Sequence, residues 1–96
     1  MSDKNQYQLK DLLKAMLKQY KLEDKYEEVD LNKNWPHLMG TLIANHTTKL
    51  QIRDKKLYVE LDSPVIRQEM SYGKSLIIEK VNQFAGQELI NDVVLR

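Results

Sequence analysis

Apolar residues fall on every second position in the middle of the chain, and this alternation constrains the fold more than any other feature. A period of two with one apolar face is typical of half-buried strands, because successive side chains point to opposite faces. The sequence therefore predicts an antiparallel hairpin with strands over residues 48–53 and 56–61, joined by a polar turn that contains no glycine. The alternating apolar residues are Leu50, Ile52, Leu57, Val59 and Leu61.

The segment before the hairpin has a helical period. Apolar residues recur there at intervals of three and four, which predicts an amphipathic helix over residues 7–20. Its apolar stripe consists of Leu9, Leu12, Leu13, Met16, Leu17 and Tyr20. The face opposite the stripe is rich in lysine.

A second helical segment follows, and its apolar stripe changes phase near Pro36. A proline inside a helix clashes with the carbonyl four residues earlier. We therefore expect a kink or break between Asn32 and Pro36, with a new helix over residues 37–44 that includes Gly40. Trp35 is in register with the apolar residues that follow it, so the pattern predicts that its side chain is buried in the core. The stripe before the change is Leu22, Tyr26 and Val29, and the stripe after it is Leu31, Trp35, Leu38, Met39, Leu42 and Ile43.

The third helix has the clearest boundaries, and the pattern places it over residues 64–85. Ser63 is suited to be the N-cap and Pro64 the first helical residue. Gly73 lies on the apolar stripe, where glycine disfavours a helix, and we expect it to permit close packing against another backbone. Gly86 follows the last apolar position and is expected to terminate the helix.

The chain ends in a strand predicted over residues 92–95. The predicted order is helix, helix, strand, strand, helix, strand, which defines an α+β fold (ααββαβ) in one domain of 96 residues. A three-stranded sheet covered on one face by helices would bury every apolar stripe.

Composition and spacing argue against several function classes. The chain has no cysteine, 42 % apolar residues and a formal net charge of +1, which suits a cytoplasmic globular protein rather than a strongly basic nucleic-acid binder. No apolar run approaches the ~20 residues that cross a bilayer, and the polar N-terminus lacks a signal-peptide core. His37 and His46 lie on different elements and neither has a second ligand at metal spacing. We therefore expect no metal, no cofactor, no membrane contact and no enzymatic activity.

Two basic clusters are candidates for contact with nucleic acid. The first is a lysine stripe along the first helix and its exit, at Lys10, Lys14, Lys18, Lys21 and Lys25. The second is the hairpin tip, at Lys49, Arg53, Lys55 and Lys56, beside Tyr58. Each cluster is open to two interpretations: a solvated surface that keeps helices and turns soluble, or a set of charges for phosphates or an acidic partner.

From Trp35 onward the sequence resembles the DciA family of bacterial replicative-helicase loaders. The residues that carry the resemblance are Trp35 to Gly40, Ile43 to Thr47, Leu57 to Met70, Val81 to Gly86 and Ile90 to Arg96. The resemblance implies a K-homology-like fold, a role in loading or controlling the replicative DNA helicase, and accessory contact with single-stranded or forked DNA.

The sequence departs from the family pattern at several points. Ile66 stands where family members often have an aromatic residue, and Lys55 where a glycine often follows the turn aspartate. Many members carry a long disordered extension that this sequence does not include. There is no Gly-x-x-Gly loop, so the nucleotide clamp of true K-homology domains does not carry over. The alternative to a helicase partner is a general RNA- or DNA-binding module, which the balanced net charge disfavours.

Overall fold

The computed structural model describes residues 2–19 and 22–96, with side chains from residue 9 onward. Five helices and three strands follow the predicted ααββαβ order. They are α1 (Ser2–Gln19), α2 (Glu23–Met39), α3 (Thr41–Asn45), β1 (Thr47–Arg53), β2 (Lys56–Leu61), α4 (Pro64–Ser71), α5 (Lys74–Ala85) and β3 (Asp92–Leu95). Tyr20 and Lys21, which the sequence placed on the apolar and lysine stripes, lie outside the described residues.

The three strands form one sheet in the order β1-β2-β3, which confirms the predicted strands. β1 and β2 are antiparallel and β2 and β3 are parallel. The two residues of the hairpin turn, Asp54 and Lys55, have φ angles of 52° and 61°. Positive φ at both central residues is the requirement of a type I′ turn, whose twist matches that of the strands it joins. The turn therefore adopts the usual hairpin geometry without a glycine.

The core lies between the inner face of the sheet and the helices, chiefly α2 and α5. The alternating residues of the hairpin all point inward, as predicted, and Val93 of β3 joins them. Burial of these side chains supplies most of the driving force for folding. The buried residues are Leu31, Trp35, Leu50, Ile52, Leu57, Val59, Leu61, Met70, Ile77, Val81, Ile90 and Val93.

The predicted break near Pro36 is wrong, because α2 continues through Pro36 to Met39. Proline removes one backbone donor, but the helix retains its neighbouring bonds, and the Gly40 N–H still donates to the Pro36 carbonyl at 2.9 Å. The chain breaks instead at Gly40, where φ is 89° and ψ is 159°. This region of backbone conformation is open essentially to glycine alone. Gly40 is therefore a boundary between α2 and α3 and not a residue within a helix.

The phase change of the second segment has a different origin from the one expected. A single helix uses two faces along its length. Leu31 and Trp35 in the second half of α2 are buried in the core, whereas Tyr26 and Val29 in the first half are 46 % and 47 % exposed. The second stripe therefore begins on the buried face of α2 and continues past Gly40 into α3, where Leu42 is 67 % exposed although the pattern predicted its burial.

The third predicted helix is divided into α4 and α5 around Gly73. The prediction that Gly73 permits close packing is wrong: the nearest atom to a Cβ built there is the Met70 carbonyl oxygen, at 4.0 Å. The boundaries are confirmed. The Ser63 hydroxyl accepts the Ile66 N–H at 3.3 Å, Pro64 is the first helical residue, and Gly86 ends α5 with a left-handed φ of 70°.

The expectation that every apolar stripe is buried is wrong for α1. Its stripe residues remain largely in solvent, with Leu9 64 %, Leu12 58 %, Leu13 45 % and Met16 47 % exposed. The main contact of α1 is with α2, so the sheet does not reach this stripe. The chain has principal extents of 51 × 24 × 21 Å, an elongated shape for 96 residues.

Two of the three glycines at helix boundaries, Gly40 and Gly73, give a matched stability prediction. Gly40→Ala should lower the free energy of unfolding by roughly 1–3 kcal/mol, because a side chain is strained at a φ of 89° even though space is open around it. Gly73→Ala, at a φ of −125°, should be neutral or stabilise by up to about 1 kcal/mol. Urea denaturation followed by circular dichroism measures both. Equal effects of the two substitutions would contradict the assigned strain at Gly40.

Candidate functional site

The predicted basic residues are divided between two surfaces. Lys49, Arg53 and Lys56 lie on the face of the sheet that the helices leave uncovered, which we call the open face. Lys55, their neighbour at the turn, instead lines a groove together with Lys10, Lys14 and Lys18 of α1. The structure therefore places Lys55 with the lysine stripe of α1 and separates it from the rest of the hairpin tip, Lys49, Arg53 and Lys56. Lys25 does not line that groove.

Strand register sets the layout of the open face. Arg53 is paired with Lys56, and Lys56 with Asp92 on the next strand. Lys49 is paired with Glu60. These two rows thus combine a carboxylate with one or two cations, so the open face is basic but not uniformly so.

Tyr58 lies at the centre of the open face between two arginines. The guanidinium carbon of Arg53 is 5.3 Å from the ring centroid and that of Arg96 is 4.9 Å from it. Both distances are in the range of cation–π attraction, which holds the guanidinium groups in place. Because two arginines already contact this ring, Tyr58 is suited to positioning two charges on the open face. The sequence analysis did not identify Arg96 as a site residue.

The groove lies where α1, the first half of α2, the hairpin turn and the segment after α5 meet. Its volume is ≈ 630 Å³. Its lining combines apolar and charged side chains. We call the charged residues of α1 the α1 wall or lysine wall, those of α2 the α2 wall or carboxylate wall, and the apolar lining residues the floor. The apolar lining residues are Leu13, Ala15, Leu17, Tyr26, Ala85 and Leu89. The cationic lining residues are Lys10, Lys14, Lys18 and Lys55, and the anionic ones are Glu23, Asp24, Glu27 and Glu88.

Two of the groove carboxylates have raised pKa values. Burial, followed by the charges of Glu23, Glu28 and Asp54, raises the pKa of Asp24 above its ordinary value. Burial and the charge of Asp30 likewise raise the pKa of Glu27, although Lys14 acts in the opposite direction. Partly desolvated carboxylates of like charge are stabilised by an added cation. This wall of the groove therefore favours a positively charged ligand group.

Trp35 belongs to the core, as predicted. Its side chain is 2 % exposed, and its indole N–H donates to the Thr47 hydroxyl oxygen at 3.0 Å. Thr47 in turn donates to the Ile43 carbonyl at 2.7 Å. The indole thus ties α2 to the start of β1 and has a structural role.

The histidines lie apart from both surfaces. His46 caps α3, and its Nδ1 is 2.7 Å from the Asp62 carboxylate. His37 lies at the end of α2 beside α5. In the part of the chain that the structure describes, no three His, Cys, Asp or Glu side chains are grouped to hold a metal ion. No helix among the described residues is long and apolar enough to cross a membrane.

The fold and its two surfaces define a small α+β domain with a basic open sheet face beside a groove of balanced charge. Comparison with protein families identifies it further. The chain belongs to the DciA family: the family model described as "Dna[CI] antecedent, DciA" matches residues 8–95, which confirms the resemblance seen in the sequence. No curated protein and no solved structure matches the chain.

Proposed function

We propose that this chain is a non-enzymatic binding module of DNA replication that acts on the replicative DNA helicase and contacts DNA weakly and without sequence preference. The observation that carries the proposal is the family match over residues 8–95, since DciA is a family of helicase loaders and operators. The helicase is the protein partner, and single-stranded or forked DNA is the accessory ligand.

The distribution of charge supports a protein partner over a purely nucleic-acid ligand. The groove is lined by four lysines and four carboxylates, and the whole chain has a net charge of +1. Nucleic-acid affinity depends on excess positive charge, because it comes largely from releasing counterions from phosphates. A protein interface has no such requirement. A general RNA- or DNA-binding module, the alternative, is supported only by the cations of the open face.

Recovery of the helicase from native cytoplasm tests the proposal. The chain carrying an affinity tag should retain the replicative helicase in the presence of nuclease, which removes bridging DNA. A tag-only sample is the control. Recovery at the control level, combined with retained DNA binding by the purified chain, would favour the general nucleic-acid-binding alternative instead.

The open face is the surface that we propose for DNA. Arg53→Glu with Lys56→Glu should lower affinity for single-stranded DNA roughly tenfold at low salt and reduce the log–log salt slope by about 0.7 for each phosphate that is no longer neutralised. Both side chains are exposed, so the fold should be retained, and circular dichroism verifies this because the substitutions place two carboxylates in the row of Asp92. Fluorescence anisotropy across a salt series measures the effect.

Lys10→Glu with Lys14→Glu is the matched control, because it reverses two exposed lysines that lie on the groove. This variant should retain more affinity for DNA than the open-face variant. If neither double variant changes DNA affinity at low salt, the proposal that this domain binds DNA directly is wrong. The proposal of a protein partner would then remain.

A further inference from the structure

Exposed apolar side chains are concentrated at one end of the molecule. Seven of the eleven large hydrophobic residues that are exposed in the described part of the chain lie on α1, on the first half of α2 or immediately before α2. A continuous apolar surface rimmed by polar groups is typical of a protein interaction site. The seven residues are Leu9, Leu12, Leu13, Met16, Leu22, Tyr26 and Val29.

The groove lies at the same end of the molecule and includes two of these seven residues. Leu13 and Tyr26 lie on its floor and are 45 % and 46 % exposed, although each has a large apolar side chain. Lys10, Lys14 and Lys18 follow one another at every fourth position along the α1 wall and span roughly 12 Å of helix axis, or about two turns. A groove that combines apolar side chains with flanking charged ones suits a bound amphipathic helix.

The walls of the groove carry opposite charges. Lysines line the α1 wall, whereas Glu23, Asp24 and Glu27 line the α2 wall. The raised pKa values of Asp24 and Glu27 agree with a wall that gains from an added cation. A nucleic acid would place phosphates beside these carboxylates and is disfavoured. An α1 helix from a second copy has four lysines and two aspartates, so its charges complement the carboxylate wall but not the lysine wall.

We propose that the groove binds one amphipathic α-helix of the protein partner, with an apolar stripe flanked by carboxylates where it meets α1 and by Lys or Arg where it meets α2. This inference rests on the proposed function, because it names the surface through which the chain would contact the helicase assembly. The apolar contacts supply affinity, and the two charged walls fix the direction in which the helix lies.

A matched pair of double variants tests the surface. Leu13→Gln with Tyr26→Gln removes one aliphatic and one aromatic side chain from the groove. Val65→Gln with Tyr72→Gln removes the same two kinds of side chain from α4 and its C-terminal end, where they are 70 % and 74 % exposed and line no part of the groove. The probe is the purified replicative helicase of the same cell, with affinity measured by biolayer interferometry. Circular dichroism and urea denaturation verify that all variants fold.

We expect the groove variant to bind the helicase roughly tenfold or more weakly and the α4 variant to bind like wild type. Asp24→Lys with Glu27→Lys should also weaken binding, because it would place cations opposite the partner's cations.

Wild-type binding by the groove variant would overturn this inference alone and leave the proposed function standing. Failure of the wild-type chain to bind the helicase would overturn both. Concentration-dependent dimerisation that the groove variant abolishes would identify a second copy as the occupant and also overturn the inference.

Discussion

Replacing Trp35 by alanine is expected to lower the free energy of unfolding by roughly 3–5 kcal/mol, the usual cost of truncating a large core aromatic residue. The side chain is 2 % exposed and occupies the junction of α2 with the sheet. Its loss would leave a cavity and would also remove the indole donor from the Thr47 hydroxyl, which lies 3.0 Å from Nε1. Urea denaturation followed by circular dichroism measures the change.

Trp35→Phe separates the contribution of the apolar volume from that of the indole hydrogen bond. It retains most of the apolar volume and loses the hydrogen bond, so it should cost less than the alanine variant. Binding of the helicase should fall only as far as the unfolded fraction rises. A Trp35→Ala variant that unfolds like wild type but loses helicase binding would show that the indole contacts the partner and is not a core residue.

Asn82→Ala should be the second strongly destabilising change, at roughly 2–4 kcal/mol, because it leaves several partly buried polar groups without partners. The Asn82 Oδ1 accepts the N–H groups of Leu89 and Ile90, each at 3.0 Å. Its Nδ2 donates to the Ile90 carbonyl at 2.9 Å. Ile90 is fully buried, so this amide fixes the chain between α5 and β3.

Gln83→Ala is the matched control for Asn82. Gln83 is the next residue of α5 and is exposed, so its substitution should change stability by about 0.5 kcal/mol at most. Asn82→Asp retains the two acceptor bonds but places a carboxylate oxygen against the Ile90 carbonyl oxygen, so it should also destabilise the fold more than Gln83→Ala does. Equal stability of the Asn82→Ala and Gln83→Ala variants would show that the three hydrogen bonds contribute nothing measurable.

The parts of the fold that the sequence predicted are those set by local chemistry. The alternation between Leu50 and Leu61 defined the hairpin because one inward face must be apolar along both strands. Ser63 and Gly86 marked helix ends because a side-chain acceptor and a left-handed φ are local requirements.

The errors arose where tertiary context outweighs local pattern. Pro36 costs α2 one hydrogen bond, but packing of Trp35 and Leu31 in the core maintains the helix, and the chain bends at Gly40 instead. The apolar stripe of α1 predicts burial, whereas its residues remain largely exposed. A hydrophobic period predicts an amphipathic helix and does not identify what covers its apolar face.

The candidate surfaces were predicted only in part for a similar reason. Residues close in sequence at the hairpin tip were treated as one cluster, but the turn directs Lys55 to the groove while Lys56 lies on the open face. Arg96 and Arg53 meet at Tyr58 only because β3 pairs with β2 in parallel. Pairing between distant segments depends on the whole fold and is not encoded in a local pattern.

The most direct test of the proposed function is the amount of replicative helicase assembled on single-stranded DNA with and without this chain. Circular single-stranded DNA on beads, the purified helicase and the chain would be combined with ATP, and the helicase retained after washing would be quantified. We predict more helicase on the DNA when the chain is present, and little gain with the Leu13→Gln and Tyr26→Gln variant. Unchanged helicase on the DNA, under conditions in which the chain itself binds that DNA, would contradict a role in helicase loading.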